Sequence, residues 1–170
     1  MTVNWYAMRS KPNKEGFLAG QLETHNIEVY FPCLRVTPVN PRSRKLRPYF
    51  PNYLFVHVDL AAVNASDLHW MPGASGLVSY GGEPAPVPEH LISAIKKHVD
   101  FLNASERNLT KDLKSGEVVE IQQGTFAGYK AIFDTALSGQ DRVRVLLDFL
   151  QARKVPLELK STQIRRVKRS

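Results

Sequence analysis

The chain has 170 residues, 43% of them hydrophobic, and a formal net charge of +7. That length holds one medium domain or two small ones, and the apolar content excludes disorder throughout. The positive excess points to anionic surroundings such as nucleic acid, ribosomes or an acidic protein face, although an ordinary basic soluble protein has the same signature. A single cysteine, Cys33, excludes an intrachain disulfide and a cysteine metal cluster, and it fits a reducing cytoplasm. No apolar run approaches the roughly 20 residues of a membrane span, so no membrane association is expected. The opening residues Met-Thr-Val-Asn-Trp-Tyr carry no charged stretch ahead of an apolar one, so no secretory signal is read.

In chain order, Val3–Met8 is rich in β-formers and predicts a first strand. Lys11-Pro-Asn13 breaks it, and Asn13 is expected to cap a helix running to about His25 with Phe17, Leu18 and Leu22 toward the core. Gly16 and Gly20 weaken that helix by about 1 kcal/mol each relative to alanine. Glu28–Val36 predicts a strand that Pro32 interrupts, as at an edge or bulge. Tyr53–Val58 is a nearly unbroken apolar run, the pattern of a buried central strand. A short helix over Ala65–Trp70 ends at Met71-Pro-Gly73, and a short strand covers Gly76–Tyr80. Pro88 opens a helix with Leu91, Ile92, Ile95 and Val99 at helical spacing. These elements predict an α/β sandwich with a mostly antiparallel sheet.

The second half reads differently. Asn103–Asp112 is polar and aperiodic, a linker. Beyond it, Val118–Ile121, Tyr129–Thr135, Val143–Phe149, Val155–Leu159 and Ile164–Val167 predict five short strands, with turns at Gln123-Gly124, Ser138-Gly139 and Leu150–Arg153. That pattern predicts a small closed barrel. The fold class expected is therefore α+β, an N-terminal sandwich at 1–102, a linker at 103–113 and a β-barrel at 114–170. Positive charge gathers in the later part, where residues 101–170 carry 13 Lys and Arg against 8 Asp and Glu.

Catalytic constellations are missing from the sequence. There is no phosphate loop, no H-E-x-x-H and no nucleophile elbow. The five histidines form no metal-ligand pair at helical spacing. Cys33 reads as a buried, inert thiol, and His57 as a structural or surface-facing histidine. Gly81-Gly82 precedes a run of prolines rather than a helix N-terminus, so it is a poor phosphate cradle. No acid/base couple stands out, and no cofactor or metal is expected. The reading is a binding protein rather than an enzyme.

Three stretches resemble the NusG family of transcription factors. They are Trp5-Tyr-Ala-Met8; Tyr49-Phe-Pro-Asn-Tyr-Leu-Phe-Val56 with Pro72-Gly73 and Gly81-Gly-Glu-Pro-Ala-Pro-Val-Pro88; and Gly116-Glu-Val-Val-Glu-Ile121 with Gly124-Thr-Phe-Ala-Gly128, the pattern of a KOW motif. The second stretch is similar to the specialised RfaH branch. The resemblance implies an elongation or antitermination factor that suppresses pausing or termination. Its N-terminal NGN domain would bind the clamp helices of the RNA polymerase β′ subunit. Its SH3-like KOW barrel of five strands would recruit ribosomal protein S10 or Rho. A cytoplasmic monomer follows. The alternative is a ribosome-associated or RNA-binding KOW protein.

Residue by residue, the resemblance places Tyr53, Phe55 and Tyr80 in the polymerase-binding patch. Tyr53 and Phe55 share one strand face while Leu54 and Val56 point the other way, so the alternative that both aromatics are plain core stays open. At the position of Arg9 the RfaH branch has an aromatic. Asn64 and Ser66 occupy the place of a second polymerase contact, or they cap a helix. Lys11 matches a DNA-reading position, whereas Phe17, Gln21 and Thr24 depart from that set. Arg42, Arg44, Lys45 and Arg47 form a basic cluster that would meet phosphates of upstream or non-template DNA, or simply a solvated loop. Phe149, Leu150 and Arg153 correspond to the partner-binding loop of the barrel. RfaH hides its C-terminal domain as a helical hairpin. Here the β-branched content and the Gly-x-Phe-x-Gly turn predict a stable barrel with no such switch.

Overall fold

The alternation of Tyr53–Val58 needs two apolar layers, one for each side of the strand, and the chain provides both. The computed structural model describes residues 2–36, 46–104, 131–134 and 136–154. Strands β1 (Asn4–Ser10), β2 (Glu28–Tyr30), β5 (Tyr53–Val58), β6 (Ala74–Leu77) and β9 (Pro86–Val87) form the main sheet. Its order is β2-β5-β1-β6, with β9 also on β1, and every pairing is antiparallel. Helices α1 (Glu15–Thr24), α2 (Ala65–His69), α3 (Glu89–Ala104) and α4 (Gly139–Lys154) pack around it. Two small ladders complete the described structure, β3 (Cys33–Arg35) with β4 (Leu46–Pro48) and β7 (Ser79–Tyr80) with β8 (Glu83–Pro84).

The central place of β5 follows from its composition. Register sets Tyr6 opposite Val56, Met8 opposite Leu54 and Ala7 opposite Phe55. Tyr6, Met8, Leu54, Val56 and Val58 join Leu18 and Leu22 of α1 and Leu68 of α2 in one apolar layer. Trp5, Ala7, Tyr53 and Phe55 face the other layer, with Leu91, Ile92, Ile95 and Val99 of α3. Burying each such aliphatic side chain is worth about 1.5–3 kcal/mol. The two-residue turn between β7 and β8 is Gly81-Gly82, both at positive φ, which a hairpin this tight requires.

Several expectations need correction. Asn13 does not cap α1; it sits at φ 62 and Lys14 takes the N-cap position without a side-chain bond. Phe17 lies outside the core at 49% exposure, because Glu15, Leu18 and Leu22 fill the buried stripe of α1. Glu28–Val36 splits at Pro32 into β2 and β3, which belong to different sheets. Gly76–Tyr80 likewise divides between β6 and β7. α3 continues through Asn103 and Ala104, where Asn103 donates to the Cys33 carbonyl and accepts from the Arg35 amide.

The largest correction concerns the barrel. Val143–Phe149 is not a strand, and neither Ser138-Gly139 nor Leu150–Arg153 is a turn between strands. All but Ser138 of these residues belong to α4. Residues 131–132, read as part of a strand, are helical. Leu146, Phe149 and Leu150 fall on one helical face and are buried in the same layer as Phe55. The strands expected at Val118–Ile121, Val155–Leu159 and Ile164–Val167, the Gly124–Gly128 turn and the linker at 105–113 lie outside the described residues.

Candidate functional site

Tyr53 and Phe55 stand on the sheet face that α4 covers, and their exposures are 7% and 0%. They are neither free surface nor ordinary strand-to-helix core of the first hundred residues alone. Ile132, Phe133, Leu146, Phe149 and Leu150 close the same cluster from the C-terminal segment. Phe50 turns its ring edge-on to Phe55 at 5.8 Å, and Tyr49 meets Phe50 edge-on at 4.9 Å. Arg9 lies over the Tyr53 ring at 5.8 Å and donates from Nε to its hydroxyl at 3.1 Å. An arginine therefore supports the aromatic cluster from β1.

Polar bonds fasten the cover to the sheet domain. Arg142 of α4 is 7% exposed, donates from Nε to the Tyr49 carbonyl at 3.0 Å and from Nη1 to the Leu137 carbonyl at 2.7 Å. Its guanidinium lies 4.1 Å from the centre of the Tyr49 ring. Tyr49 donates its hydroxyl to the Ile132 carbonyl at 2.9 Å, and Tyr80 donates to the Leu147 carbonyl at 2.8 Å. Burial pushes the Tyr49 hydroxyl well above its ordinary range, and Arg142 pulls the other way. Burial also raises Tyr80, with Tyr53 and Asp148 adding to the effect. Both hydroxyls thus stay protonated donors. Gly139, at the start of α4, approaches Pro51 so closely that a Cβ would stand 2.8 Å from the proline ring.

The structure brings Tyr53, Phe55, Tyr80, Phe149 and Leu150 together, although two different surfaces were expected for them. Phe149 and Leu150 were expected on a barrel loop facing a partner; they are buried at 7% and 0% against the sheet domain instead. Arg153 falls in the last turn of α4. Asn64 and Ser66 lie apart from this cluster, at the start of α2, which packs in the opposite layer through Leu68. The Asn64 side chain accepts from the Ser66 amide at 2.9 Å, so the capping alternative is realised there.

Lys11 follows β1, where its amide donates to the Gly73 carbonyl at 2.8 Å. Close by, the Phe17 ring borders Gly73 with Lys14 over it at 5.5 Å. Arg47 is exposed on β4, in another ladder; Arg42, Arg44 and Lys45 lie outside the described residues. Four residues of interest carried no signal in the reading by element: Tyr49, His98, Arg142 and Trp70, the last 78% exposed. Arg142 precedes Leu146, Phe149 and Leu150 at helical spacing, so a helical reading of that segment would have put it on the buried face.

Cys33 is a free, half-buried thiol that burial pushes up to about 11, which keeps it protonated and unreactive. His57 stacks on Trp5 at 4.6 Å and bonds Glu28 at 2.8 Å, a structural role that links β1, β5 and β2 across the sheet. Among the described residues no group of three or more His, Cys, Asp or Glu could hold a metal ion, and no helix is long and apolar enough to cross a membrane.

A family model described as transcription termination factor nusG matches residues 3–96. The chain is 23% identical over 189 residues to the transcription termination/antitermination protein NusG of Deinococcus radiodurans, covering 96% of this chain and 99% of that one. It is 23% identical over 177 residues to the protein of the same name from Helicobacter pylori, covering 97% and 99%. A solved structure of Thermotoga maritima NusG, described for its domain interaction, aligns over 59% of each chain at 20% identity and a TM-score of 0.45.

Proposed function

The chain belongs to the NusG family of transcription termination and antitermination factors, which are not enzymes, and from that premise we propose that its Tyr53–Phe55–Tyr80 face docks on RNA polymerase once α4 has moved away. The proposed partner is the pair of clamp helices of the β′ subunit. One observation carries this reading: an aromatic sheet face is covered by a segment from the far end of the same chain, which is held by bonds to backbone carbonyls. Large aromatics that can be uncovered are efficient interface anchors, since they supply area at little entropic cost. The cover then sets the competition. Polymerase gains the face only when its affinity exceeds the free energy of closing α4.

The same movement would release Phe149 and Leu150. Recruitment of ribosomal protein S10 or Rho through the C-terminal segment is therefore proposed to follow polymerase docking rather than precede it. Lys11 and Arg47, with Arg42, Arg44 and Lys45, are proposed to meet phosphates of upstream or non-template DNA, which adds affinity without reading sequence.

The test is binding of purified bacterial RNA polymerase elongation complex to the full chain. Wild type is expected to bind weakly. Arg142→Ala, which loosens the cover, is expected to bind about tenfold or more tightly. Tyr53→Ser with Phe55→Ser added to Arg142→Ala should abolish binding, with folding checked by circular dichroism. Lys11→Ala/Arg47→Ala should weaken binding and flatten its salt dependence. Equal binding by wild type, Arg142→Ala and the triple variant would sink the proposal.

A further inference from the structure

One buried group takes no part in the apolar packing argument or in the polar fastening described above. His98 of α3 is 1% exposed, and neither ring nitrogen has a hydrogen-bond partner. Its ring meets Phe133 of the C-terminal segment at 5.1 Å and Tyr49 at 6.1 Å, both edge-on. On the other side of this contact the Arg142 guanidinium lies 4.1 Å from the centre of the Tyr49 ring. The histidine thus sits at the joint between the sheet domain and its cover, close to Arg142, the buried cation that fastens the cover.

We infer that this joint is an acid-sensitive latch, in which protonation of His98 beside Arg142 drives the C-terminal segment off the sheet face. The inference rests on the reading of α4 as a removable cover. The neutral imidazole is tolerated between two rings, at the cost of one donor and one acceptor without partners. An imidazolium there is far less tolerable, because it is desolvated, has no counter-ion and shares the joint with a second positive charge.

The groups around the ring offer no compensation. From α4 comes Arg142, of like sign. From the chain after β4 comes Tyr49, whose hydroxyl is already donated to the Ile132 carbonyl. Asp134, next to Phe133, accepts from the Ala136 amide through Oδ1. On α3 itself, Lys97 and Asp100 are exposed on other faces of the helix. Among the described residues no carboxylate bonds the ring.

The sign follows from this environment. Burial first, and Arg142 second, lower His98 from its ordinary 6.5 to about 4 in the closed chain. Once uncovered, the ring meets water and returns toward about 6.5. The open state therefore binds more protons between those two values. Closure is fully favoured above about pH 6.5 and loses ground as the pH falls toward 4. At about pH 5.5 the open-to-closed ratio should be about tenfold higher than at about pH 7.5.

Hydrogen exchange on the full-length protein reads this without polymerase, so failure of the latch and failure of the docking proposal are separable. After correction for intrinsic exchange, protection of the α4 amides is expected to fall about tenfold between about pH 7.5 and about pH 5.5 in wild type. Protection of β1 and β5 should hold. His98→Phe, which keeps an aromatic ring between Tyr49 and Phe133, should change less than about twofold over the same range. A flat wild-type profile, or an undiminished drop in His98→Phe, overturns the inference. If His98→Phe does not fold, the imidazole Cε1 proton of wild type is titrated by NMR instead. A midpoint well below the ordinary value upholds the latch, and a midpoint near 6.5 overturns it.

Discussion

The two faces of the main sheet are closed in different ways. On one, α1 and α2 pack Leu18, Leu22 and Leu68 against Tyr6, Met8, Leu54 and Val56, all from the first seventy residues. The buried carboxylate of that side, Glu15, accepts from the Asn52 amide at 2.8 Å and so ties α1 to the turn before β5. On the other face, α3 covers part of the sheet and α4, from the far end of the chain, covers the rest. That second cover mixes apolar burial with a buried arginine, two tyrosine hydroxyls and an unpartnered histidine. The first layer is apolar apart from that one bond within the first sixty residues, and it gives up its free energy only when the sheet itself unfolds. A layer fastened by directional bonds and carrying an uncompensated buried group can be released as a unit, because water can replace each of its polar bonds.

Paired truncations test this contrast most strongly. Leu22→Ala and Leu146→Ala each remove a fully buried leucine and should each cost about 2–5 kcal/mol locally. Leu22→Ala should lower the global denaturation midpoint. Leu146→Ala should instead strip hydrogen-exchange protection from α4 while leaving β1 and β5 protected. Equal global losses would mean that both covers belong to one cooperative unit.

A smaller effect is expected at the start of α4. Gly139→Ala sets a methyl group against Pro51, an overlap that should cost about 1–3 kcal/mol. Relief comes by lifting the N-terminal end of α4, so the variant should open the second face without disturbing the first. Unchanged α4 protection in Gly139→Ala would mean that this close approach is not maintained in solution. The smallest effect belongs to Tyr80→Phe, which removes one bond to the Leu147 carbonyl and should weaken closure by about 0.5–1.5 kcal/mol. A stability unchanged within error would show that water serves that carbonyl equally well.

Much of the first hundred residues was legible. The period-two alternation over Tyr53–Val58 separates the residues of the two layers as the structure does, Tyr53 and Phe55 on one side and Leu54 and Val56 on the other. Leu91, Ile92, Ile95 and Val99 placed the buried stripe of α3. Phe17 was misplaced because an aromatic at the edge of a helical stripe looks like core until its neighbours are known. The segment Val143–Phe149 failed for a different reason. Val143 and Val145 favour a strand, yet Leu146, Phe149 and Leu150 also form a helical stripe. Local preference differs by only a few tenths of a kcal/mol per residue between the two.

The amino-acid sequence by itself carried the motif stretches that resemble the NusG family, and it determined the central strand and the chemistry of its two faces, because a strand and its faces depend on composition and on a period of two residues. Only the tertiary structure decided that residues 139–154 are helical and that Tyr53 and Phe55 are covered. As a helix that segment sets Leu146, Phe149 and Leu150 against the open sheet face, and burying each is worth about 1.5–3 kcal/mol. Three such contributions outweigh the β-preference of two valines, and they exist only where the sheet face is there to receive them.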